Sequence, residues 1–419
     1  MNFMFTAKTL GRLSCCLLLF VCYIAIANAD EKSSRWSIKG FGSFGGAGLD
    51  TDRVGFLRNR TQTEAVDNGW GVATDSRLGV QFDVDVSESL HATVQWIARD
   101  HAGDFFEQNL EWAFLRWRPR EDMDIRIGRL GLDTFLLSDY REVGYAYVWM
   151  RPPHEFYANI PLSHFDGVDF AQKFAVDDSF LTLKLQAGYS HSQLQTGLGV
   201  FTMDTPIIGM NILYEAGDWR LRAGYSYLRL LSDIDSQDLV NAVNNPALES
   251  VYPGVSGLAS ALSLKGTDLH FMSLGAAYDD GVWLAQAETS YIETGNAYVV
   301  DTASAYLSVG RRISEFTVYG LYGLSFSFND RVDIPAPLVP APPLLGLQQG
   351  LDQALNYNSI DQQSFSLGMR WDFYTNIAFK VQWTHFWFGD RGAALWAQDE
   401  PGNIPSQVNL WSVGVDFVF

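Results

Sequence analysis

Asn409-Leu410-Trp411-Ser412-Val413-Gly414-Val415-Asp416-Phe417-Val418-Phe419 ends the chain, and its reading decides the fold. Side chains of an extended strand alternate sides, so Trp411, Val413, Val415, Phe417 and Phe419 share one face. Ser412, Gly414 and Asp416 share the other, and no turn or polar tail follows. In water such a strand is an edge that invites aggregation. In a membrane barrel it closes onto the first strand, and its apolar face meets lipid. A terminal strand of a soluble β-sandwich is the competing reading, and the rest of the chain decides between them.

Working outward, the other end reads as a secretory signal. Lys8 and Arg12 precede an apolar run from Leu13 to Ala27, and Ala27-Asn28-Ala29 is a small-x-small cleavage site. The run falls short of the roughly 20 residues that a spanning helix needs. Cys15, Cys16 and Cys22 all lie inside it, and Val21 before Cys22 does not make a lipoprotein box. The chain expected after cleavage, 30–419, has 390 residues and no cysteine, so it has no disulfide or thiol chemistry. It keeps 27 basic against 48 acidic residues, a formal charge of −21, which argues against nucleic acid as a partner. No later apolar run is long enough for a transmembrane helix, and no linker divides the chain into domains.

What repeats is a hairpin. Alternation and turn residues together predict about sixteen strands of transmembrane length. They fall near 35–48, 75–86, 90–99, 108–118, 122–130, 165–175, 180–190, 205–216, 218–230, 267–278, 282–294, 299–311, 314–328, 361–373, 376–388 and 407–419. In the second, Leu78, Val80, Phe82, Val84 and Val86 oppose Arg77, Gly79, Gln81, Asp83 and Asp85. Near 108–118 the facing is ambiguous, because Trp112 and Phe114 share a parity with Arg116 and Arg118.

Alternate connections are tight, such as Ser87-Glu88-Ser89, Ala216-Gly217-Asp218, Asp279-Asp280-Gly281 and Tyr374-Thr375-Asn376. Most of the intervening ones are long: 49–73, 131–164, 231–266, 329–360 and 389–406. This layout is that of an all-β, antiparallel transmembrane barrel with short periplasmic turns and long extracellular loops. The outward faces must then be apolar, and a mixed, charged inward row throughout implies a water-filled lumen.

The connection 131–164 stands apart. It carries Phe135, Tyr140, Tyr145, Tyr147, Trp149, Phe156 and Tyr157 together with Asp133, Asp139, Arg141, Glu142, Arg151, His154 and Glu155. Pro152, Pro153 and Pro161 stiffen it. So many aromatic residues suit a loop folded inside the barrel against the wall; an external loop packed on its neighbours is the alternative.

Four short segments resemble the general Gram-negative porin family, trimers of sixteen-stranded barrels narrowed by their third external loop. Ser76-Arg77-Leu78-Gly79 resembles its Arg-Leu-Gly strand motif, and Gly128-Arg129 its Gly-Arg approach to the third loop. Lys39 resembles a further basic rung, and Pro153-His154-Glu155-Phe156 the Pro-Glu-Phe loop tip with one residue inserted. The resemblance implies an outer-membrane porin of a Gram-negative bacterium that passes small polar solutes passively. It implies Lys39, Arg77 and Arg129 as basic pore-lining residues. On the loop side stand Asp133, Asp139, Glu142, Arg151, Glu155, Tyr145, Trp149 and Tyr157. Trp411, Phe417 and Phe419 form the barrel-closing signal, with the terminal Phe419 read by the assembly machinery. The implied partners are a homotrimer, outer-membrane lipids and lipopolysaccharide. Tyr157-Ala158 replaces the family's glycine pair, Arg151 stands where a second loop acid is expected, and His164-Phe165 replaces a basic rung. The bulky loop therefore suggests a narrower or more solute-selective eyelet.

No cofactor, metal or enzymatic chemistry is expected. The seven histidines are scattered, and His191-Ser192 reads as a loop-edge pair. Asp233-Ile234-Asp235-Ser236-Gln237-Asp238 reads as a solvated acidic loop rather than a calcium site, and Gly40 to Gly48 as a strand rather than a phosphate cradle. The remaining rivals are a substrate-selective channel using the aromatic loop and a barrel acting as adhesin or receptor through its long loops. An outer-membrane lipase comes third, for want of a serine–base pair.

Overall fold

A computed structural model describes residues 35–67, 69–196, 199–232, 237–259, 262–296, 299–328, 332–398 and 404–419. The expected signal, Met1 to Ala29, lies outside them, as does Asp233 to Ser236 of the acidic loop.

The described chain is a closed antiparallel barrel of sixteen long strands. They are β1 (Trp36–Leu49), β2 (Arg77–Asp85), β3 (Leu90–Ala98), β4 (Leu110–Arg120), β5 (Met123–Gly131), β6 (His164–Val176), β7 (Ser179–Thr196) and β8 (Gly199–Ala216). Then follow β9 (Trp219–Arg229), β10 (Asp268–Asp279), β11 (Trp283–Glu293), β12 (Thr302–Ile313), β13 (Phe316–Ser327), β14 (Ile360–Tyr374), β15 (Ile377–Ala393) and β16 (Gln407–Val418). Each pairs with its neighbour in sequence, and β1 closes on β16 with Phe41 opposite Val418 and Leu49 opposite Leu410. Beyond the ladder, Gly40 and Phe419 exchange two backbone hydrogen bonds of 2.9 Å. Closure leaves no free edge, as a lipid environment demands.

The seam shows why β1 is glycine-rich. A Cβ at Gly40 would stand 2.1 Å from the Phe419 ring, and one at Gly42 2.4 Å from Phe417. The two terminal rings lie across the glycines on the outer face and stack on each other.

The outer face carries exposed apolar side chains around the barrel, among them Phe44, Ile127, Ile208, Leu274, Leu307 and Leu367. Trp36, Trp117, Trp219, Trp283 and Tyr374 are exposed near the short-turn end, where amphipathic rings meet the lipid headgroups. The ambiguous fourth strand keeps its alternation in continuous register with β3 from Trp112 to Trp117: Leu115 and Trp117 face out, while Trp112, Phe114 and Arg116 line an inner cavity.

Two expectations are corrected, one about strand length and one about the lumen. The β7–β8 hairpin runs on to Thr196 and Gly199 instead of ending near 190 and 205. Above the lipid belt nothing obliges the outer face to be apolar, so the alternation that marks the lower strand fades. Nor is the inward row charged throughout. Leu194, Phe201, Ile207, Leu228, Phe271 and Ile292 all face inward near the extracellular ends of β7–β11 and are buried.

Besides the wall strands, α1 (Phe105–Asn109) follows β3, and the four-residue α2 (His154–Tyr157) lies in the long connection between β5 and β6. The connections after β9 and β13 carry α3 (Gln237–Val243), α4 (Pro246–Glu249) and α5 (Pro342–Asn356). These pack on one another through Val243, Tyr252, Val255, Leu258, Leu351 and Leu355 as a small extracellular core.

Candidate functional site in the lumen

The segment between β5 and β6 reaches across the barrel, because its polar atoms meet inward-facing wall side chains on nearly every side. At its start, Asp133 pairs with Lys184 at 3.1 Å and Arg222 at 3.0 Å, and Arg222 donates to the Thr134 carbonyl. Further along, Trp149 Nε1 donates to Ser308 at 2.7 Å and the Met150 amide to Gln382 at 3.0 Å. At the far wall, Lys380 Nζ donates to the carbonyls of Gly144, Tyr147 and Trp149 at 2.7, 2.7 and 2.8 Å.

Hydrophobic burial fixes the rest. Phe135, Trp149, Phe156 and Tyr157 pack with Tyr306 and Tyr319 of the wall into a core inside the barrel. Burying side chains of this size contributes about 1.5–3 kcal/mol each. Wall side chains alone cannot fill a barrel this wide; the connection fills it. Over its tip fold the loops after β1 and β15. Phe56 meets the His154 ring at 4.9 Å and Trp396 at 5.2 Å, and the Arg151 guanidinium lies 4.8 Å from the Phe56 ring centre.

Beside β1–β3 the packing gives way to charge. Arg77 Nη1 lies 2.7 Å from Glu142 Oε2, and Arg99 Nη1 3.1 Å from Glu142 Oε1, so two wall arginines clamp one loop carboxylate. Arg141 approaches the same carboxylate at 3.8 Å. Next to it, Asp75 takes Arg151 at 2.5 Å and Arg58 at 3.4 Å, and Arg58 also donates to Tyr147 Oη at 3.0 Å. Arg99 pairs with Glu111 at 2.8 Å. Burial pushes the Glu142 carboxyl up, but Arg99, Arg77, Arg58 and Arg141 outweigh it and hold the group well below the usual carboxylate range. Five arginines face three carboxylates here, and Arg77 Nε and Arg99 Nε are buried without a hydrogen-bond partner.

Two spaces flank this cluster. Above it a small pocket of ≈30 Å³ is lined by Arg58, Arg99, His101, Arg141 and Glu142. Below it, toward the short turns, lies a cavity of ≈540 Å³ with Lys39, Gln81, Asp83, Trp112, Arg116 and Arg126 on its walls.

The residues singled out in the sequence separate accordingly. Arg77, Glu142 and Arg151 meet in the cluster. Lys39 lies lower, paired with Asp83 at 3.1 Å on the larger cavity. Arg129 is not a pore residue. It keeps the outward parity of Ile125 and Ile127 and pairs with Asp166 at 2.9 Å, because alternation holds to the strand end. The arginine of β5 that faces the lumen is Arg126, on Asp169 at 2.5 Å. Glu155 is no field-setting acid either: it is buried against β14, accepting from Gln362 at 2.8 Å, and burial raises its carboxyl. Asp139 is exposed, Tyr145 stacks on Arg370 at 4.6 Å, and Tyr157 donates to Glu288. His191 and Ser192, adjacent on β7, point to opposite faces: His191 to Asp204, and Ser192 to the Pro161 carbonyl inside. The sequence places Arg99 on the polar face of the third strand with Thr93 and Gln95 but gives it no site role, and it singles out neither Arg58 nor Lys380. For Lys380 a signal exists, since it shares the inward parity of Gln382 and Thr384. Among the described residues no group of three or more His, Cys, Asp or Glu side chains could hold a metal.

No family model and no curated protein matches this sequence. Solved structures do match in fold. The outer-membrane channel DcaP of Acinetobacter baumannii superposes with a TM-score of 0.52 at 12% identity, over 93% of this chain and 100% of that one. The chain folds as an outer-membrane barrel. Outer-membrane OmpT of Vibrio cholerae gives 0.50 at 13% identity over 93% and 99%, and Salmonella typhi OmpF, solved with daunomycin, gives 0.50 at 13% over 92% and 97%.

Proposed function

We propose that this barrel is an outer-membrane porin passing small hydrophilic solutes passively, anions more readily than cations. The route runs between the 131–164 connection and the β1–β3 wall. The carrying observation is the Arg77–Glu142–Arg99 clamp, which stands between the small upper pocket and the large lower cavity. An excess of arginine over carboxylate, with two guanidinium N–H groups unpaired, favours negative charge beside the clamp. The acidic total of the chain does not oppose this, because local charges set the field a solute meets. Small clearance beside the clamp favours a narrow eyelet over a wide diffusion pore.

A homotrimer suits the outer face near β4–β7. There Ala113, Gly128, Gly167 and Ala187 form a shallow recess crossed by the Arg129–Asp166 ion pair, a costly pair to leave against lipid. OmpT of Vibrio cholerae is known in a trimer form. Lipid and lipopolysaccharide contacts, and recognition of Phe419 during assembly, belong to the same proposal.

The test is single-channel conductance and reversal potential in planar bilayers under a potassium chloride gradient. Anion preference is expected, and it weakens in Arg77→Ala and Arg99→Ala. Cation preference, or selectivity untouched by both variants, would overturn the reading.

A further inference from the structure

A second space in the lumen has a different character. Between the two stems of the 131–164 connection and the extracellular ends of β7–β12 lies a cavity of ≈130 Å³. Leu228, Phe271 and Ile292 of the wall meet Leu132 and Leu162 of the connection there. A water channel has no need of such a lining. Strands of the same barrel put serine, glutamine and arginine at inward positions a few residues lower, as Ser226 and Arg222 do below Leu228.

Arg60, Thr134, Asn159, Thr302 and Asn358 interrupt the lining, no carboxylate does, and two of these five bear on what the cavity binds. The Thr134 hydroxyl is buried and has no hydrogen-bond partner, a cost that folded proteins seldom carry without reason. Arg60 reaches the cavity from the loop after β1. One of its nitrogens, Nη2, donates to Asn358 at 2.5 Å, and Nε and Nη1 have no partner among the described residues.

We infer that this cavity binds a single-ring aromatic carboxylate. An apolar cavity of about 150 Å³ lined by Leu, Ile and Phe stays dry and accepts benzene, so a space of ≈130 Å³ suits one ring. Arg60 at its edge supplies the charge-assisted donors a carboxylate requires. Thr134 gains the polar contact it lacks. The absence of lining acids removes the repulsion that would exclude an anion. This inference concerns binding and does not rest on conduction through the clamp.

Benzoate and benzyl alcohol are the probes, titrated calorimetrically into the full barrel in lipid nanodiscs, with empty nanodiscs as blank. Benzoate is expected to bind saturably, one per chain. Arg60→Ala weakens benzoate about tenfold or more while shifting benzyl alcohol about twofold or less. Met203→Trp, which fills the cavity, abolishes both, and a gel-shift check confirms that each variant is a folded barrel. No saturable benzoate binding to the unaltered protein would overturn the inference. So would benzoate binding that survives Met203→Trp, or benzyl alcohol binding without benzoate. Loss of anion selectivity in the bilayer experiment, with benzoate binding intact, sinks the porin reading alone.

Discussion

Lys380 and Asp416 face each other inside the barrel, Nζ 2.7 Å from Oδ2, with the lysine side chain wholly buried. Three carbonyls of the 131–164 connection complete the ammonium's surroundings, so one residue ties the connection to the β15–β16 wall. Removing one member of a buried pair costs about 3–5 kcal/mol, because the other charge is left uncompensated. Lys380→Met is therefore expected to lower the temperature at which the barrel loses its folded gel mobility. It is also expected to raise conductance, since the connection loses its anchor. Lys380→Met with Asp416→Asn should recover part of the stability and none of the anchoring.

The two arginines of β5 make a paired test of facing. Arg126 points inward to Asp169, and Arg129 outward to Asp166. Arg126→Ala is expected to change reversal potential or conductance, because it lines the lower cavity. Arg129→Ala is expected to leave both unchanged and to shift the trimer-to-monomer ratio on mild-detergent gels. A selectivity change in Arg129→Ala would place that residue in the pore after all.

Strand positions were legible in the sequence wherever lipid forces one face to be apolar. Leu78 to Val86 reads correctly for that reason, and so does the terminal strand. Above the belt that constraint lapses, and with it the signal: the upper β7–β8 hairpin and its inward Leu194 and Phe201 look like loop. The lumen was read less well, because charge and inward parity do not say which partner a side chain finds. Arg77, Glu142 and Arg99 are each visible in the sequence, Arg99 on the polar parity of Thr93 and Gln95, but nothing local says that the three clamp together. Glu155 looked like a pore acid by its motif, yet folding turns it into the wall. Lys380 was passed over because nothing local says that a distant loop will bring it three carbonyls.

The seam predicts an assembly defect from a small change. Any side chain at Gly42 meets the Phe417 ring, since even a Cβ would stand 2.4 Å from it. Gly42→Val is expected to reduce the folded, heat-modifiable fraction severely in refolding from urea. Phe417→Leu in the same chain should restore part of it by withdrawing the ring. Gly320→Ala on β13, away from the seam, serves as the control. Its Cβ has 3.9 Å to the nearest atom, and normal folding is expected.

Acid should loosen the tip of the connection through His154 before it reaches the clamp. The ring is buried, with Nε2 donating to the Leu57 carbonyl at 2.9 Å and Nδ1 accepting from Gln362 Nε2 at 3.2 Å. Burial, with Arg151 adding to it against the Leu57 hydrogen bond, lowers its pKa to about 3. A proton on Nδ1 would set one donor against another. Below pH about 6.5 the unfolded chain binds a proton that the folded one refuses. Stability therefore falls with pH from there down to about 3, by about 1.4 kcal/mol per pH unit for this group. Glu142 acts later: its depressed carboxyl keeps the clamp charged until the pH passes well below the ordinary carboxylate range. His154→Gln keeps a donor for Leu57 and is expected to flatten the pH dependence of the unfolding midpoint between 6 and 4. A slope in that window identical to the parent's would show that His154 does not carry the acid sensitivity.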